Sequence, residues 1–93
     1  MDIGVEISLY PLHEDYIPPI KAFIDRLNAD AAARSGAVRV VTNSMSTQVF
    51  GDYDTVFALL QREMQPTFAH EEAMNGKAIF VMKFLGPMPA AGA

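Results

Sequence analysis

Residues 3–10 alternate between two kinds of side chain, and this period of two constrains the fold more than any other feature of the chain. One set is aliphatic and comprises Ile3, Val5, Ile7 and Leu9. The other set is small, polar or aromatic and comprises Gly4, Glu6, Ser8 and Tyr10. The alternation predicts a β-strand that ends at Pro11, with one face in a core and a second face of different character.

A helical period follows the first strand. Apolar residues spaced by four, three and four positions are typical of an amphipathic helix, and here they are Ile20, Ile24, Leu27 and Ala31. Pro18 and Pro19 suit a first helical turn, and Asp15 is a candidate N-cap. We therefore predict a helix that runs to about Ala33 and stops at Ser35-Gly36.

Two further strands form a hairpin-like unit. The β-branched segment Val38–Thr42 predicts the second strand, and Thr47–Phe50 predicts the third. The intervening Asn43–Ser46 is turn chemistry.

A second helix and a last strand complete the chain. Asp52 or Asp54 is expected to cap the helix, and Pro66 to end or kink it, because a proline inside a helix loses a hydrogen bond and clashes with the preceding turn. Lys77–Phe84 then predicts the fourth strand.

The order strand, helix, strand, strand, helix, strand predicts an α+β fold of the ferredoxin-like βαββαβ type. Right-handed crossovers place the first and third strands at the centre of an antiparallel four-stranded sheet, with two helices on one face. We expect one domain over residues 1–85 and a flexible tail over residues 86–93, which are rich in Pro, Ala and Gly.

The composition excludes several classes of protein. Hydrophobic residues make up 51% of the chain and charged residues 19%, which indicates a folded rather than a disordered protein. A net charge of −4 without any Lys/Arg cluster argues against binding to nucleic acid. Cysteine is absent, so disulfides and thiolate metal sites are excluded. No signal-like start and no apolar run near ~18 residues are found, so we expect a soluble, cytoplasmic protein without membrane contact.

The sheet face without helices is expected to be mixed. If Ile79 and Val81 face the helices, the other face carries aromatic and apolar side chains of three strands: Tyr10, Phe50, Phe80, Met82 and Phe84. Beside them lie the polar residues Glu6, Ser8 and Gln48. One interpretation is that a second copy of the chain covers this face, and another is that the polar residues converge on a ligand.

Glu6 has two interpretations of its own. A carboxylate on a central strand is costly if covered, unless it is paired or hydrogen-bonded. It could form a salt bridge with Lys83, Lys77 or Arg39 or remain solvated, or it could bind a ligand.

No motif supports catalysis. His13-Glu14-Asp15 and His70-Glu71-Glu72 are consecutive polar residues, which rarely converge on one metal ion, so we interpret them as helix-capping and solvated positions. No phosphate-binding loop or dinucleotide motif is present. We therefore expect no enzyme activity, no metal and no cofactor.

Three segments of the chain resemble the YkoF-like family, and they are Glu6–Leu12, Thr42–Asp54 and Lys77–Phe84. The most specific part is Met45-Ser46-Thr47 followed by Phe50-Gly51-Asp52. The resemblance extends from Ile3 to about Leu85 and implies a ferredoxin-like domain that pairs into larger assemblies and binds thiamine or hydroxymethylpyrimidine. Family members best known for binding thiamine carry two such domains in tandem, whereas this chain carries one, so the resemblance implies a homodimer or larger homo-oligomer formed through the open sheet face.

The resemblance also implies a set of ligand-binding residues: Glu6, Ser8, Tyr10, Asn43, Ser44, Met45, Thr47 and Gln48. An aminopyrimidine presents a ring nitrogen, an amine donor and a flat apolar face, which carboxyl, hydroxyl, amide and aromatic or Met groups match. The expected function is non-catalytic binding of thiamine or its hydroxymethylpyrimidine moiety. The alternatives are a structural or regulatory oligomerisation module without a small ligand, and an enzyme that acts on a thiamine-related compound.

Overall fold

A computed structural model of the chain describes residues 1–89. It is an α+β structure with four strands and three helices. In chain order the elements are β1 Asp2–Pro11, α1 Ile17–Ala29, α2 Ala31–Arg34, β2 Val38–Thr42, β3 Thr47–Asp52, α3 Tyr53–Ala73 and β4 Ala78–Met88. β4 thus includes the first three residues of the predicted tail, and residues 90–93 lie outside the described part of the chain.

The four strands form one antiparallel sheet in the order β2-β3-β1-β4. The first and third strands are therefore central, as their sequence predicts. In the register Val5 lies opposite Val49 on β3, and Ile7 lies opposite Met82 on β4. Both pairs point toward the helices, which cover one face of the sheet.

The core lies between the helices and this face. The odd-numbered residues of β1 are buried, as the alternation predicts, and they join the apolar faces of α1 and α3. Each fully buried aliphatic or aromatic side chain stabilises the fold by about 1.5–3 kcal/mol. The buried hydrophobic residues are Ile3, Val5, Ile7, Leu9, Phe23, Leu27, Val38, Val49, Val56, Leu59 and Leu60.

The helix predicted to reach Ala33 is divided at Asp30. Asp30 has an extended backbone with ψ of 142°, and its carboxylate accepts a hydrogen bond from the Ala32 N–H at 2.9 Å. The same carboxylate accepts two hydrogen bonds from Arg62, from Nε at 3.1 Å and from Nη2 at 3.0 Å. Asp30 thus caps the short α2, which the apolar spacing alone does not reveal.

The other helix ends differ from the sequence prediction in two places. Asp15 does not cap α1, because the N-cap residue is Tyr16, which makes no side-chain capping hydrogen bond. Asp52 does cap α3, and its carboxylate accepts a hydrogen bond from the Asp54 N–H at 3.2 Å. α3 continues beyond Pro66 to Ala73, so of the two predicted effects of this proline, to end or to kink the helix, the first is wrong. Thr67 and Glu71 are buried beyond the proline, and this packing outweighs the lost hydrogen bond.

The predicted faces of β4 are inverted in the structure. Phe80 lies opposite Leu9 and packs against the core, with its ring centroid 5.0 Å from that of Phe23. Phe84 stacks on Phe57 of α3 at 5.0 Å, and Met82 also packs against the core. Ile79 and Val81 therefore belong to the open face. The pairing of β1 with β4 is regular from Gly4 to Pro11, so no bulge causes the difference, and the predicted parity of β4 was wrong by one residue.

None of the helices in residues 1–89 is both long enough and apolar enough to cross a membrane.

Candidate ligand-binding site

A cavity of about 240 Å³ lies at the Pro11 end of β1, between the β2–β3 loop and α1. One side is apolar and is formed by core residues of β1 and α1, and the other is the polar loop. The lining residues are Ile7, Ser8, Leu9, Tyr10, Ile20, Phe23, Ile24, Thr42, Asn43, Ser44, Met45, Ser46 and Thr47.

The cavity exists because two neighbouring strands have different lengths. The pairing of β1 with β3 ends at Ile7 opposite Thr47, but β1 continues to Pro11 along β4. Residues 8–10 of β1 therefore have no strand beside them on the β3 side. The loop 43–46 and the first turns of α1 border the gap.

Hydrogen bonds within the loop hold its shape. The Asn43 side-chain oxygen accepts from the Met45 N–H at 2.8 Å and from the Ser46 N–H at 3.1 Å. The Thr42 and Thr47 hydroxyls are 3.1 Å apart and hydrogen-bonded across the hairpin. The side-chain oxygen of Asn43 is therefore occupied by hydrogen bonds within the loop, and stabilisation of the hairpin turn accounts for this atom. Met45 is 85% exposed at the cavity rim.

Six of the eight residues predicted to bind a ligand line this cavity: Ser8, Tyr10, Asn43, Ser44, Met45 and Thr47. Glu6 and Gln48 do not line it. They face each other across β1 and β3 on the open face of the sheet. The structure thus brings the loop residues and the end of β1 together, and it places the Glu6 carboxylate outside the cavity.

Glu6 forms an ion pair with Lys83, which is one of the interpretations that its sequence position allows. Its Oε1 is 3.7 Å from Lys83 Nζ, and its Oε2 accepts a hydrogen bond from the Ser46 hydroxyl at 3.1 Å. Because Ser46 lines the cavity, Glu6 is linked to the site through that hydroxyl. The Glu6 side chain is 43% exposed, so solvent screens the ion pair.

The apolar wall of the cavity does not follow from the sequence alone, because its residues have the spacing of ordinary core positions. They are Ile7, Leu9, Ile20, Phe23 and Ile24. The lengths of the strands contain a signal. The first strand continues to Pro11, whereas its neighbour begins only at Thr47, which lies opposite Ile7. That mismatch indicates a gap at the sheet end, which one strand considered alone does not show.

The open sheet face retains a large apolar area, with different members from those predicted. Ile79, Val81 and Leu85 of β4 are 48%, 46% and 68% exposed. Phe50 is on this face, as predicted, and the Arg39 guanidinium lies 4.5 Å from its ring centroid. Such an apolar area on one face is typical of a protein–protein contact.

The strongest electrostatic effects lie in the helix layer and not at the cavity. The hydrogen bonds from Arg62 hold the pKa of Asp30 well below its usual range. Burial raises the pKa of Glu63, and the neighbouring Asp30 raises it further. None of these three residues lines the cavity. Among residues 1–89 there is no group of three or more His, Asp or Glu side chains placed to hold a metal ion.

Comparison with known families gives one match over most of the chain. The model of the YKOF-related family matches residues 2–82. No curated protein matches.

Solved structures similar to this one come from bacteria and archaea. A protein of Streptococcus pneumoniae has a TM-score of 0.77 and 16% identity, over 95% of this chain and 89% of the other. A hypothetical protein of Methanocaldococcus jannaschii has a TM-score of 0.72 and 16% identity, over 99% and 87%. A candidate thiamine biosynthesis/salvage protein of Thermotoga maritima has a TM-score of 0.70 and 13% identity, over 90% and 82%. At these identities the likeness establishes a shared fold.

Proposed function

Since the chain belongs to the YkoF-related family, we propose that it is a non-catalytic binding protein for thiamine or its hydroxymethylpyrimidine moiety. The similar protein described as a candidate in thiamine biosynthesis or salvage supports a thiamine-related role. The strand order supports a ferredoxin-like fold as the frame of the site.

The observation that carries the proposal is the cavity at the end of β1. Its volume of about 240 Å³ lies below the ~300–1,000 Å³ of sites for drug-sized ligands, so it suits a single ring better than a large cofactor. Apolar residues of α1 can contact the face of a pyrimidine, while the loop supplies the Ser44 and Ser46 hydroxyls. The thiazolium of thiamine would extend past the exposed Met45 toward solvent.

Calorimetric titration of thiamine and of hydroxymethylpyrimidine tests the proposal. Tyr10→Ala is expected to weaken binding by about tenfold, because Tyr10 lines the cavity and an aromatic contact contributes about 1 kcal/mol or more. Tyr16→Ala is the matched control, because Tyr16 is also 52% exposed but does not line the cavity. Absence of heat from both compounds at sub-millimolar concentration would remove the proposal.

We further propose that the protein is a homo-oligomer that pairs through its open sheet face. Ile79, Val81 and Leu85 supply an exposed apolar strip on β4, and Glu6 and Lys83 supply charges of both signs beside it. A two-fold pairing can place the same strip of each copy against the other.

The second candidate function is an oligomerisation module without a small ligand, and the same exposed strip favours it. This function predicts a dimer in light scattering that forms without ligand, together with no binding of either compound. The calorimetric titration separates the two functions.

A further inference from the structure

We propose that the Leu9 main-chain N–H and C=O form the recognition element of the cavity, and that they bind the edge of the ligand where a ring nitrogen adjoins an exocyclic amine. The inference rests on the proposed function and specifies which chemistry selects the ligand. It assigns the main contact to the backbone of β1 and not to the Glu6 carboxylate.

The direction of the Leu9 main chain follows from the pairing of β1 with β4. Beyond the strand end, the Leu12 N–H donates to the Lys77 carbonyl at 2.9 Å. Main-chain groups of an antiparallel strand point alternately to its two neighbours. Ser8 and Tyr10, which share the parity of Leu12, therefore point their N–H and C=O toward β4, and those of Leu9 point the opposite way.

The hairpin gives the same direction independently. The Asn43 N–H donates to the Ser46 carbonyl at 3.1 Å, so these two residues form a hydrogen-bonded pair across the loop. Thr42 and Thr47 are then a non-hydrogen-bonded pair, and the main chain of Thr47 points toward Ile7 on β1. Leu9 lies two residues beyond Ile7 and points to the same side, where β3 has not begun.

Leu9 thus presents a donor and an acceptor to the cavity that it lines. Within residues 1–89, no hydrogen bond to its N–H or C=O joins the loop or α1. The Leu9 residue as a whole is 8% exposed, and it borders the cavity, so a ligand bound there can supply a partner to each of the two main-chain groups.

The size of this exposed backbone edge limits what can bind there. The next residue with the same direction is Pro11, which has no N–H, so the edge offers one donor only. An extended peptide would need several such groups to add as a strand. A 4-aminopyrimidine needs one donor for its ring nitrogen and one acceptor for its amine, and Ile20 and Ile24 can contact its ring.

An amide-to-ester replacement tests the donor directly. Replacing Leu9 by its α-hydroxy acid removes the N–H and keeps the side chain. We expect the Kd for hydroxymethylpyrimidine to rise by about tenfold, the effect of one lost hydrogen bond. The same replacement at Gly4 is the control, because Gly4 shares the parity of Leu12, so its N–H points toward Leu85 of β4, and it does not line the cavity. It should lower the Tm more than the Leu9 ester does and leave the Kd within about twofold.

Two further measurements complete the test. In the free protein, amide exchange at Leu9 should be at least tenfold faster than at Ser8 and Tyr10, and hydroxymethylpyrimidine should slow it. A probe that lacks the amine, 5-hydroxymethyl-2-methylpyrimidine, should bind about tenfold more weakly than the parent compound.

Equal affinity of the wild-type and Leu9-ester proteins would overturn the inference and leave the proposed function standing. Protection of the Leu9 amide in the free protein to the level of Ser8 would also overturn it, since that amide would then have a partner. If neither thiamine nor hydroxymethylpyrimidine binds the wild type, the proposed function fails and the inference fails with it.

Discussion

At the scale of single residues, the structure gives two carboxylates roles that their neighbours in sequence do not indicate. Glu71 is 2% exposed, and its Oε1 accepts a hydrogen bond from His13 Nε2 at 2.9 Å. Each residue belongs to a polar triplet for which the sequence predicts solvated or capping positions, so this prediction is wrong for His13 and Glu71. The two residues lie 58 positions apart, so only the fold reveals the contact. Asp30 is the second case, because its partner Arg62 is 32 positions away.

Asp30→Asn is expected to destabilise the protein by about 2 kcal/mol at neutral pH, because it weakens two charge-assisted hydrogen bonds from Arg62. Folding lowers the pKa of Asp30, so its contribution is complete above the ordinary carboxyl pKa and is lost as the pH falls. Urea unfolding at several pH values checks this.

The difference between the Asp30 variant and the wild type should therefore shrink below pH about 4. Asp25→Asn is the control, because its exposed pair with Lys21 contributes about 0.5 kcal/mol or less. A constant difference across the pH range would contradict this account of Asp30.

At the scale of elements, the sequence predicts the number and order of the main strands and helices but not all of their faces. β1 has one aliphatic and one mixed face, so its orientation follows from its alternation. β4 is apolar on both faces around Phe80 and Val81, and its orientation does not follow in the same way. Lys83 is the one informative residue, because a charged side chain marks its own parity as the solvent side.

Two features of the elements depend on tertiary structure. The break at Asp30 requires Arg62 of α3, and the gap beside residues 8–10 requires the register of β1 against β3. The family resemblance predicts the loop residues of the candidate site. The residues of its apolar wall have the spacing of core positions, so the sequence does not distinguish them from the rest of the core.

Pro66→Ala is expected to stabilise the protein by about 1–2 kcal/mol. Alanine restores the main-chain hydrogen bond that an internal proline cannot make in α3. The stability gained from this bond exceeds the stability lost because alanine restricts the unfolded chain less than proline does. Chemical denaturation of the variant measures the effect. Gln65→Ala, at the adjacent exposed position, should change the stability by less than about 0.5 kcal/mol, and equal effects of the two would contradict the explanation.

At the scale of the whole molecule, the helices and the cavity occupy one side of the sheet and its end, and the other side is the one proposed for self-association. Ile79 and Val81 do not line the cavity, but they lie opposite Tyr10 and Ser8, which do, so the two proposed surfaces adjoin at this end of β1.

Ile79→Glu is expected to shift the oligomer to monomer, because it places a charge in the apolar strip of β4 where the partner copy would desolvate it. Sedimentation velocity measures the shift. Ile17→Glu is the control, since Ile17 is 63% exposed but lies at the start of α1, away from the open face. If the two variants sediment alike, the open face is not the contact.

The unequal lengths of β1 and β3 have a consequence for how a protein of this shape can change during evolution. The site forms where the hairpin is too short to pair with residues 8–10 of β1, and the core residues Ile7, Leu9 and Phe23 form part of its wall. Lengthening the hairpin by two residues on each strand would give Leu9 a strand partner, close the cavity and add stability in one step. Selection for a shorter or longer hairpin could therefore create or erase the pocket while every helix and the rest of the sheet stay in place.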